Sequence, residues 1–181
     1  MAILKIKTIA DPVLYQKSEP VTEFNVELRD LVRDMFETMY NERGVGLAAV
    51  QVGVLKRVLV IDLVESGFIK GVFINPEVIK TSKDTQTGDE GCLSIPGLVA
   101  PLCRPRSVEV RYQDIFGETK TVRGKELMAR ALLHEMDHLD GKVFIDLLEP
   151  ADRDAVAKEI ELIQSGKTLP GENLPDYRRK K

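Results

Sequence analysis

Residues 125–141 read KELMARALLHEMDHLDG. Apolar side chains recur in this stretch at the three- and four-residue spacing of one helix face, and Asp140-Gly141 supplies a stop signal. The pattern therefore predicts an amphipathic helix over residues 125–139. Its apolar stripe includes His134 and His138, so we expect both imidazoles on the buried face of this helix.

His134, Glu135 and His138 form an HExxH motif on the predicted helix. Four-residue spacing puts the two imidazoles on one face, with Cβ atoms about 5–6 Å apart, so that both can bind one metal ion. Glu135 is rotated by about 100° from His134, which keeps its carboxylate beside the open metal position, where a general base belongs. The chain has no other histidine, and burying these groups without a partner is costly.

A metal site is therefore favoured over two ordinary hydrogen-bonded histidines. It does not by itself make the protein an enzyme. A non-catalytic binding module that a metal stabilises, with Glu135 as a mere surface residue, is an alternative of a different class.

A catalytic metal site of this kind needs a third protein ligand and leaves one position for water. Cys92, in the segment EGCLS, would bind iron or zinc as a thiolate. Glu159 or Glu161, on a later predicted helix, would instead give the ligand set of many zinc peptidases, which cleave internal peptide bonds. Spacing alone does not choose between these ligands.

The neighbours of Cys92 favour a functional role for it. Gly91 permits close backbone approach, and the backbone N–H of Leu93 could point at an oxygen bound near the metal. Cys103 lacks such neighbours, so we predict that it is a small buried apolar residue. Two cysteines so close in sequence do not indicate a disulfide framework.

A third stretch, GVGLAAVQ at residues 44–51, combines small residues with one amide. Its small residues allow the chain to pass close to a ligand, and Gln51 supplies an amide donor. By itself the stretch is more typical of a tightly packed strand or loop.

The rest of the chain predicts an α+β protein of one domain, with antiparallel or mixed sheets around the central metal-binding helix and with N-terminal and C-terminal helices. The predicted elements are a helix from Asn25 to Glu42 ended by Gly44, strands over 57–62 and 72–79 with Pro76 at an edge or irregular position, a polar loop over 81–90, a hairpin over 107–124 that turns at 114–117, and a helix over 152–164. We expect a catalytic domain over 1–165 and a polar, flexible tail over 166–181.

Charge and composition exclude several classes of protein. The chain has 26 basic and 29 acidic residues, a formal net charge of -3, so no large basic field indicates a specific nucleic-acid partner. No apolar run approaches the roughly 20 residues that span a bilayer, and the first residues do not resemble a signal peptide. We therefore expect a cytoplasmic protein without membrane contact.

GVGLAAVQ, EGCLS and HEMDHLDG, in this order, resemble the three signature motifs of bacterial-type peptide deformylases. The resemblance extends to residues 11–21 and 141–150, and so covers the chain up to about Pro150. It implies an α+β fold with the metal helix surrounded by sheets, and it assigns Cys92, His134 and His138 as metal ligands. It also implies Fe²⁺ as the native metal, with Zn²⁺ or Ni²⁺ as substitutes, and removal of the formyl group from formyl-methionyl termini of newly made polypeptides.

Carried onto matching positions, the resemblance implies a role for each motif. Glu135 would act as general base and then acid, while the Gln51 side chain and the Leu93 N–H would stabilise the oxyanion. By position, Val45 and Leu133 are candidates for an apolar pocket that takes methionine, and Gly46 could offer backbone hydrogen bonds to the peptide.

Two positions depart from the family pattern, and two further interpretations are weaker. A glutamine commonly stands where this chain has Leu133, and a basic or bulky residue near Val99 is frequent; neither change removes a catalytic group. Asp137 is predicted either to pair with Arg104 and brace the site or to be solvated. The basic ending over 178–181 could contact the ribosome transiently, although a solvated tail is the more ordinary interpretation.

Overall fold

The computed structural model describes residues 2–167 and residue 169. Over this part of the chain the fold is α+β, as predicted, with an antiparallel five-stranded sheet in the order β1-β2-β3-β6-β7 and a two-stranded sheet formed by β4 and β5. The strands are β1 (Gly46–Ala48), β2 (Val58–Asp62), β3 (Lys70–Thr81), β4 (Thr85–Cys92), β5 (Ile95–Pro105), β6 (Ser107–Gln113) and β7 (Thr119–Lys125). The helices are α1 (Val26–Asn41), α2 (Glu126–Leu139), α3 (Pro150–Ala155) and α4 (Ala157–Gln164).

The interior strand β2 shows how the sheet separates two cores. Successive side chains of a strand point to opposite faces, so Val58 and Val60 join the core beneath α1, while Leu59 and Ile61 join the larger core around α2. All four side chains are fully buried. Each contributes about 1.5–3 kcal/mol relative to an exposed side chain, which explains why this strand is almost entirely apolar.

Helix α1 begins and ends as its sequence predicts. The Asn25 side chain accepts a hydrogen bond from the N–H of Leu28 at 3.0 Å, which satisfies one donor of the first turn. At the other end the N–H of Gly44 donates to the carbonyl of Met39 at 2.8 Å and closes the last turn. The chain therefore leaves α1 directly into the glycine-containing stretch that includes β1.

Helix α2 lies between the sheets and contacts strands of both. Its predicted position and its predicted burial of His134 and His138 are confirmed. The β6–β7 hairpin, which turns at Asp114 as expected, leads directly into α2. The central helix of the predicted fold is thus present, and it carries both histidines of the predicted metal site.

The polar segment over 81–90 was predicted as a loop, and this prediction is wrong. Most of it forms β4, which pairs along its length with β5 from Thr85↔Pro105 onward. Strand pairing overrides the unfavourable local composition. β5 tolerates its prolines because each strand of a two-stranded ribbon has one open edge, where a missing N–H is harmless.

Three smaller predictions need adjustment. Cys103 is exposed, not buried, because β5 alternates and the neighbours of Cys103 point inward. Pro76 lies within interior strand β3, at an irregularity in register between Ile74 and Glu77, so the irregular position is confirmed and the edge is not. The helix predicted over 152–164 is divided into α3 and α4 at Val156.

Most of the predicted C-terminal tail, including the basic ending over 178–181, lies outside the described residues. Among the residues that are described, no helix combines the length and apolar character needed to cross a bilayer.

Candidate active site and metal centre

Three candidate ligand atoms converge beneath α2. Cys92 lies at the end of β4, and the sulfur and one nitrogen from each of His134 and His138 all lie within 4.8 Å of one another. The Cys92 Sγ atom is 3.2 Å from His138 Nε2, and all three residues are buried. A thiolate with two imidazoles is a donor set that suits zinc, iron or nickel, and three protein ligands leave an open position for catalysis.

The electrostatics of this position favour a cation. Burial lowers the pKa of His134, but Cys92 and Glu90 raise it to well above its ordinary value. Burial together with the neighbouring His134 holds the pKa of His138 well below its ordinary value. One positive charge beside Cys92 is therefore stabilised and a second is not, which fits a single metal ion held by these three side chains.

The alternative ligand set with Glu159 or Glu161 is contradicted. Within the described residues, the histidine, cysteine and carboxylate group that could hold a metal consists of Cys92, His134 and His138. Glu159 and Glu161 are on α4, and Glu161 is exposed. The geometry thus selects the cysteine between the two candidates that spacing left open.

Gln51 is fixed with its amide nitrogen toward Cys92. Its Oε1 atom accepts a hydrogen bond from the Ala48 N–H at 2.8 Å, which leaves Nε2 to donate to Ser94 Oγ at 3.1 Å and toward Cys92 Sγ at 3.5 Å. The Ser94 N–H also donates to the same sulfur at 3.4 Å. A single rotamer of Gln51 therefore presents an amide donor beside the candidate metal position.

Glu135 is buried against the backbone of β1. A Cβ atom added at Gly46 would meet Oε1 of Glu135 and would lie 3.0 Å from its Cγ and Cδ atoms. Within the described chain Glu135 Oε2 has no hydrogen-bond partner. Burial raises the pKa of Glu135 to about 7. A carboxyl group held at this pKa is suited to take up and release a proton near neutral pH. Its burial also contradicts the alternative in which Glu135 is only a surface residue.

Glu90 is the centre of a buried charge network behind His134. Its carboxylate accepts from Arg104 at 2.6 and 3.1 Å and from Arg130 at 2.8 Å, and its Oε1 atom is 2.6 Å from His134 Nδ1. Arg104 also donates to Asp137 at 2.6 Å, so the predicted pairing of these two residues is present. Because Nδ1 is engaged by Glu90, the other ring nitrogen of His134 faces the metal position.

The charges in this network balance. Burial raises the pKa of Glu90, but His134 and Arg104 hold it well below its ordinary value, so the carboxylate stays ionised. Burial raises the pKa of Asp137, and Arg104 opposes this shift. When a metal ion takes the place of the proton on His134, two arginines face two carboxylates around a neutral imidazole, the form in which histidine binds metals.

An open cleft, about 640 Å³ with the solvent at its mouth included, leads to the candidate metal position. Val45 and Gly46, two of the predicted substrate contacts, line it together with Leu93 and with Leu127 and Ala131 from α2. Leu133 does not take the expected position. It lies on another side of α2 and packs, half-buried, against the larger core. Residues 131 and 127 lie about one and two turns before His134 on its face of the helix, whereas residue 133 is rotated by about 100° from His134.

Glu90 and Arg130 are site residues that the sequence interpretation missed. Glu90 begins the segment EGCLS, and Arg130 lies in the sequence of the predicted metal-binding helix. The helix spacing of Arg130 could have revealed its role. Arg130 is four residues before His134, hence on the same helix face, and a charged residue on a buried face requires a partner. Glu90 is that partner.

The chain is similar to known proteins along most of its length. A family model described as polypeptide deformylase matches residues 3–154. A peptide deformylase of Caldanaerobacter subterraneus is 51% identical over 146 residues, covering 81% of this chain and 89% of the relative. A peptide deformylase of Rickettsia akari is 42% identical over 172 residues, covering 91% of this chain and 98% of the relative.

Comparison with solved structures finds members of the same family. The crystal structure of a Legionella pneumophila peptide deformylase matches with a TM-score of 0.83 at 39% identity, covering 91% of this chain and 96% of that one. A plant peptide deformylase matches with a TM-score of 0.87 at 35% identity, covering 92% of this chain and 91% of that one. The chain therefore belongs to the polypeptide deformylase family of enzymes.

Proposed function

We propose that this protein hydrolyses the formyl amide at the N-terminus of formyl-methionyl polypeptides and releases formate. The observation that carries the proposal is a buried Glu135 carboxyl group, unpaired at Oε2 within the described chain, beside the ligand group Cys92, His134 and His138 in an open cleft. This is the arrangement that metal-assisted amide hydrolysis requires: a general base next to an open ligand position.

A metal ion held by Cys92, His134 and His138 would polarise the formyl oxygen and acidify the attacking water. Glu135 accepts a proton from that water, whose oxygen bonds to the formyl carbon. Glu135 then returns the proton to the amide nitrogen as the carbon–nitrogen bond breaks. The products are formate and a peptide with a free N-terminal amine, so one carboxyl group serves as base and then as acid.

Gln51 and Leu93 are proposed to stabilise the negative charge that develops on the formyl oxygen. The fixed Gln51 amide already directs Nε2 into the site, and Leu93 follows Cys92 immediately and lines the cleft. A donor of this kind, fixed before the reaction begins, lowers the barrier by about 3–4 kcal/mol. The leaving amine needs no such donor because Glu135 protonates it.

The edge of β1 is proposed to bind the peptide backbone. The Asp62 N–H donates to the Val45 carbonyl at 2.9 Å, and antiparallel pairing then directs the N–H and carbonyl of Gly46 away from β2. A peptide can add to this edge as a further strand. Its first side chain would lie in the part of the cleft formed by Val45, Leu127 and Ala131, which is apolar enough for methionine.

We propose Fe²⁺ as the native metal, with Zn²⁺ or Ni²⁺ able to replace it, because all three accept thiolate and imidazole ligands. We further propose that residues 1–165 form the catalytic domain and that the protein acts in the cytoplasm on emerging chains. A transient contact between the basic ending over 178–181 and the ribosome would suit that task.

The decisive experiment is formate release from formyl-Met-Ala-Ser by protein that has been purified without oxygen and loaded with iron. The same preparation is offered an unformylated peptide with internal bonds, and a metal-stripped sample serves as control. We expect formate only from the formylated peptide and only with metal. Cleavage of the internal peptide without formate release would replace the proposal with peptidase activity.

Cys92→Ala separates the remaining alternatives. If Cys92 is a metal ligand, the variant loses metal and formate release together, while the exposed-site variant Cys103→Ala keeps both. Metal content and activity are measured on the same samples. A Cys92→Ala protein that retained its metal and cleaved peptides would show that another residue supplies the third ligand.

A further inference from the structure

Arg130 is a charged residue in the wall of the cleft that the proposed chemistry does not use. It lies on α2, one turn before His134, and lines the cleft beside Leu127 and Ala131. Its side chain is only 9% exposed. An arginine with this burial, next to an apolar pocket, requires a reason beyond a solvated helix face.

The guanidinium of Arg130 is incompletely paired by the protein. It donates through Nη1 to Glu90 at 2.8 Å and to the Leu102 carbonyl at 3.0 Å, and through Nη2 to the Gln86 carbonyl at 3.3 Å. An arginine has five N–H donors. Two of them, one on Nη2 and the one on Nε, therefore find no acceptor in the described part of the chain.

The guanidinium is held in place from behind. A Cβ atom added at Gly88 of β4 would lie 3.3 Å from Nη2, so the absence of a side chain at Gly88 gives the group its space. The bonds to Glu90 and Leu102 fix its plane. A group fixed in this way presents its remaining donors in a constant direction, which is what selective recognition needs.

We propose that Arg130 is a specificity-determining residue that donates a hydrogen bond to the sulfur of the substrate's first side chain. It would thereby distinguish formyl-methionine from a hydrocarbon side chain of the same length. The inference rests on the proposed function. Helix residues four apart have Cβ atoms about 5–6 Å apart, so a side chain that leaves the reacting centre near His134 and follows α2 toward Leu127 passes Arg130 at about the position of the methionine sulfur.

Sulfur chemistry makes the proposal measurable. A thioether is a weak acceptor, whereas a methylene in its place leaves the buried N–H without any partner once the pocket has excluded water. Oxidation to the sulfoxide would create a strong acceptor at the same position. The three substrates formyl-Met-Ala-Ser, formyl-norleucyl-Ala-Ser and formyl-methionine-sulfoxide-Ala-Ser therefore form a graded series.

The experiment compares kcat/KM for these three peptides in the iron-loaded wild type, Arg130→Leu and Arg130→Lys. We expect the wild type to favour methionine over norleucine by about fivefold, in line with one weak hydrogen bond. In Arg130→Leu this ratio falls to about one, and hydrolysis of the sulfoxide peptide falls at least about tenfold further than that of the methionine peptide. Arg130→Lys, which keeps the charge and a donor, retains part of both preferences.

The three peptides are compared on the same preparation of each protein, so the fraction of folded enzyme cancels in every ratio of kcat/KM. A destabilised variant therefore still gives a valid result. If Arg130→Leu does not fold, Arg130→Lys and the wild-type ratios decide. Equal rates for methionine and norleucine in the wild type, or a ratio unchanged in either variant, would overturn the proposal. Absence of formate from every peptide would instead refute the proposed function.

Discussion

Glu90 and Glu135 are two buried glutamates of one site that have opposite surroundings. Glu90 is 3% exposed, and both of its oxygens are held by arginine or histidine nitrogens. Glu135 is 5% exposed, and its Oε2 atom has no hydrogen-bond partner in the described chain. Both lie next to His134, Glu90 by contact and Glu135 by sequence. Their difference therefore comes from their partners and not from their depth.

Their pKa values move in opposite directions for this reason. Burial alone would raise both, but hydrogen bonds from His134 and Arg104 hold the pKa of Glu90 well below its ordinary value. Burial of Glu135 is not offset to the same degree, and its pKa rises to about 7. A permanently ionised carboxylate orients a ligand, whereas a carboxyl group that titrates near neutral pH transfers protons. A glutamate side chain thus orients a metal ligand at position 90 and is suited to transfer protons at position 135.

The largest effect expected from this comparison is on turnover in Glu135→Gln. The amide has the shape of the carboxyl group but cannot accept a proton, so we expect kcat to fall about 10²- to 10⁴-fold while metal content stays at the wild-type level. Formate release and metal analysis on one sample measure both. Glu159→Gln, on α4 and away from the ligand group, is the matched control and should be unchanged. Loss of metal in Glu135→Gln would mean that Glu135 is a ligand.

Glu90→Gln should show the reverse pattern. Loss of this charge leaves Arg104 and Arg130 with insufficient compensation and weakens the orientation of His134. We expect metal affinity to fall about 10- to 100-fold and the free energy of unfolding to fall by about 3–5 kcal/mol. Competition with a chelator and denaturant titration measure the two effects.

The control for this variant is Glu77→Gln. Glu77 accepts from Arg111 at 2.6 Å, as Glu90 does from Arg104, but both partners are exposed. An exposed ion pair contributes about 0–1 kcal/mol to stability. We therefore expect Glu77→Gln to change the free energy of unfolding by no more than this and to leave metal affinity at the wild-type level. Equal effects in the two variants would mean that burial does not distinguish these ion pairs.

The comparison also shows what the sequence could and could not predict about the site. HExxH on an amphipathic pattern is a local signal, and it correctly placed His134 and His138 on a buried helix face. Glu90 was missed because its role depends on Arg104 and Arg130, which are 14 and 40 residues away. Such partners become evident only when pairing of β4 with β5 and docking of α2 bring them together.

The same distinction applies to the fold: elements set by local hydrogen bonds were predictable from the sequence, whereas elements that depend on distant partners were not. Asn25, Gly44 and the turn near Asp114 act through local hydrogen bonds, and the elements they delimit were predicted correctly. β4 was predicted as a loop because its residues are polar, and its strand conformation depends on a partner strand. Leu133 was assigned to the cleft from its proximity in sequence to His134, although a step of one residue turns a helix by about 100°.

A smaller effect concerns the stability of the metal-free protein. The pKa of Glu135 is raised from 4.5 to about 7 on folding, so the folded state binds the extra proton between these pH values and stability falls as pH rises through this window. Gln does not titrate. Glu135→Gln should therefore match the wild type near pH 4.5 and exceed it by about 3 kcal/mol above pH 7. Denaturant titrations at several pH values test this, and a difference independent of pH would contradict it.

The smallest effect is expected from Asp137→Asn, which removes the outermost charge of the network. Asp137 reaches His134 only through Arg104 and Glu90, and its side chain is 23% exposed. Metal affinity should fall about three- to fivefold, less than for loss of the direct partner of a ligand. Asp140→Asn, which removes the ion pair of the exposed Asp140 with Arg57 at 2.7 Å, should leave metal affinity unchanged. If Asp137→Asn behaved like Asp140→Asn in chelator competition, the support of His134 would end at Arg104, and Asp137 would be a solvated residue of the helix.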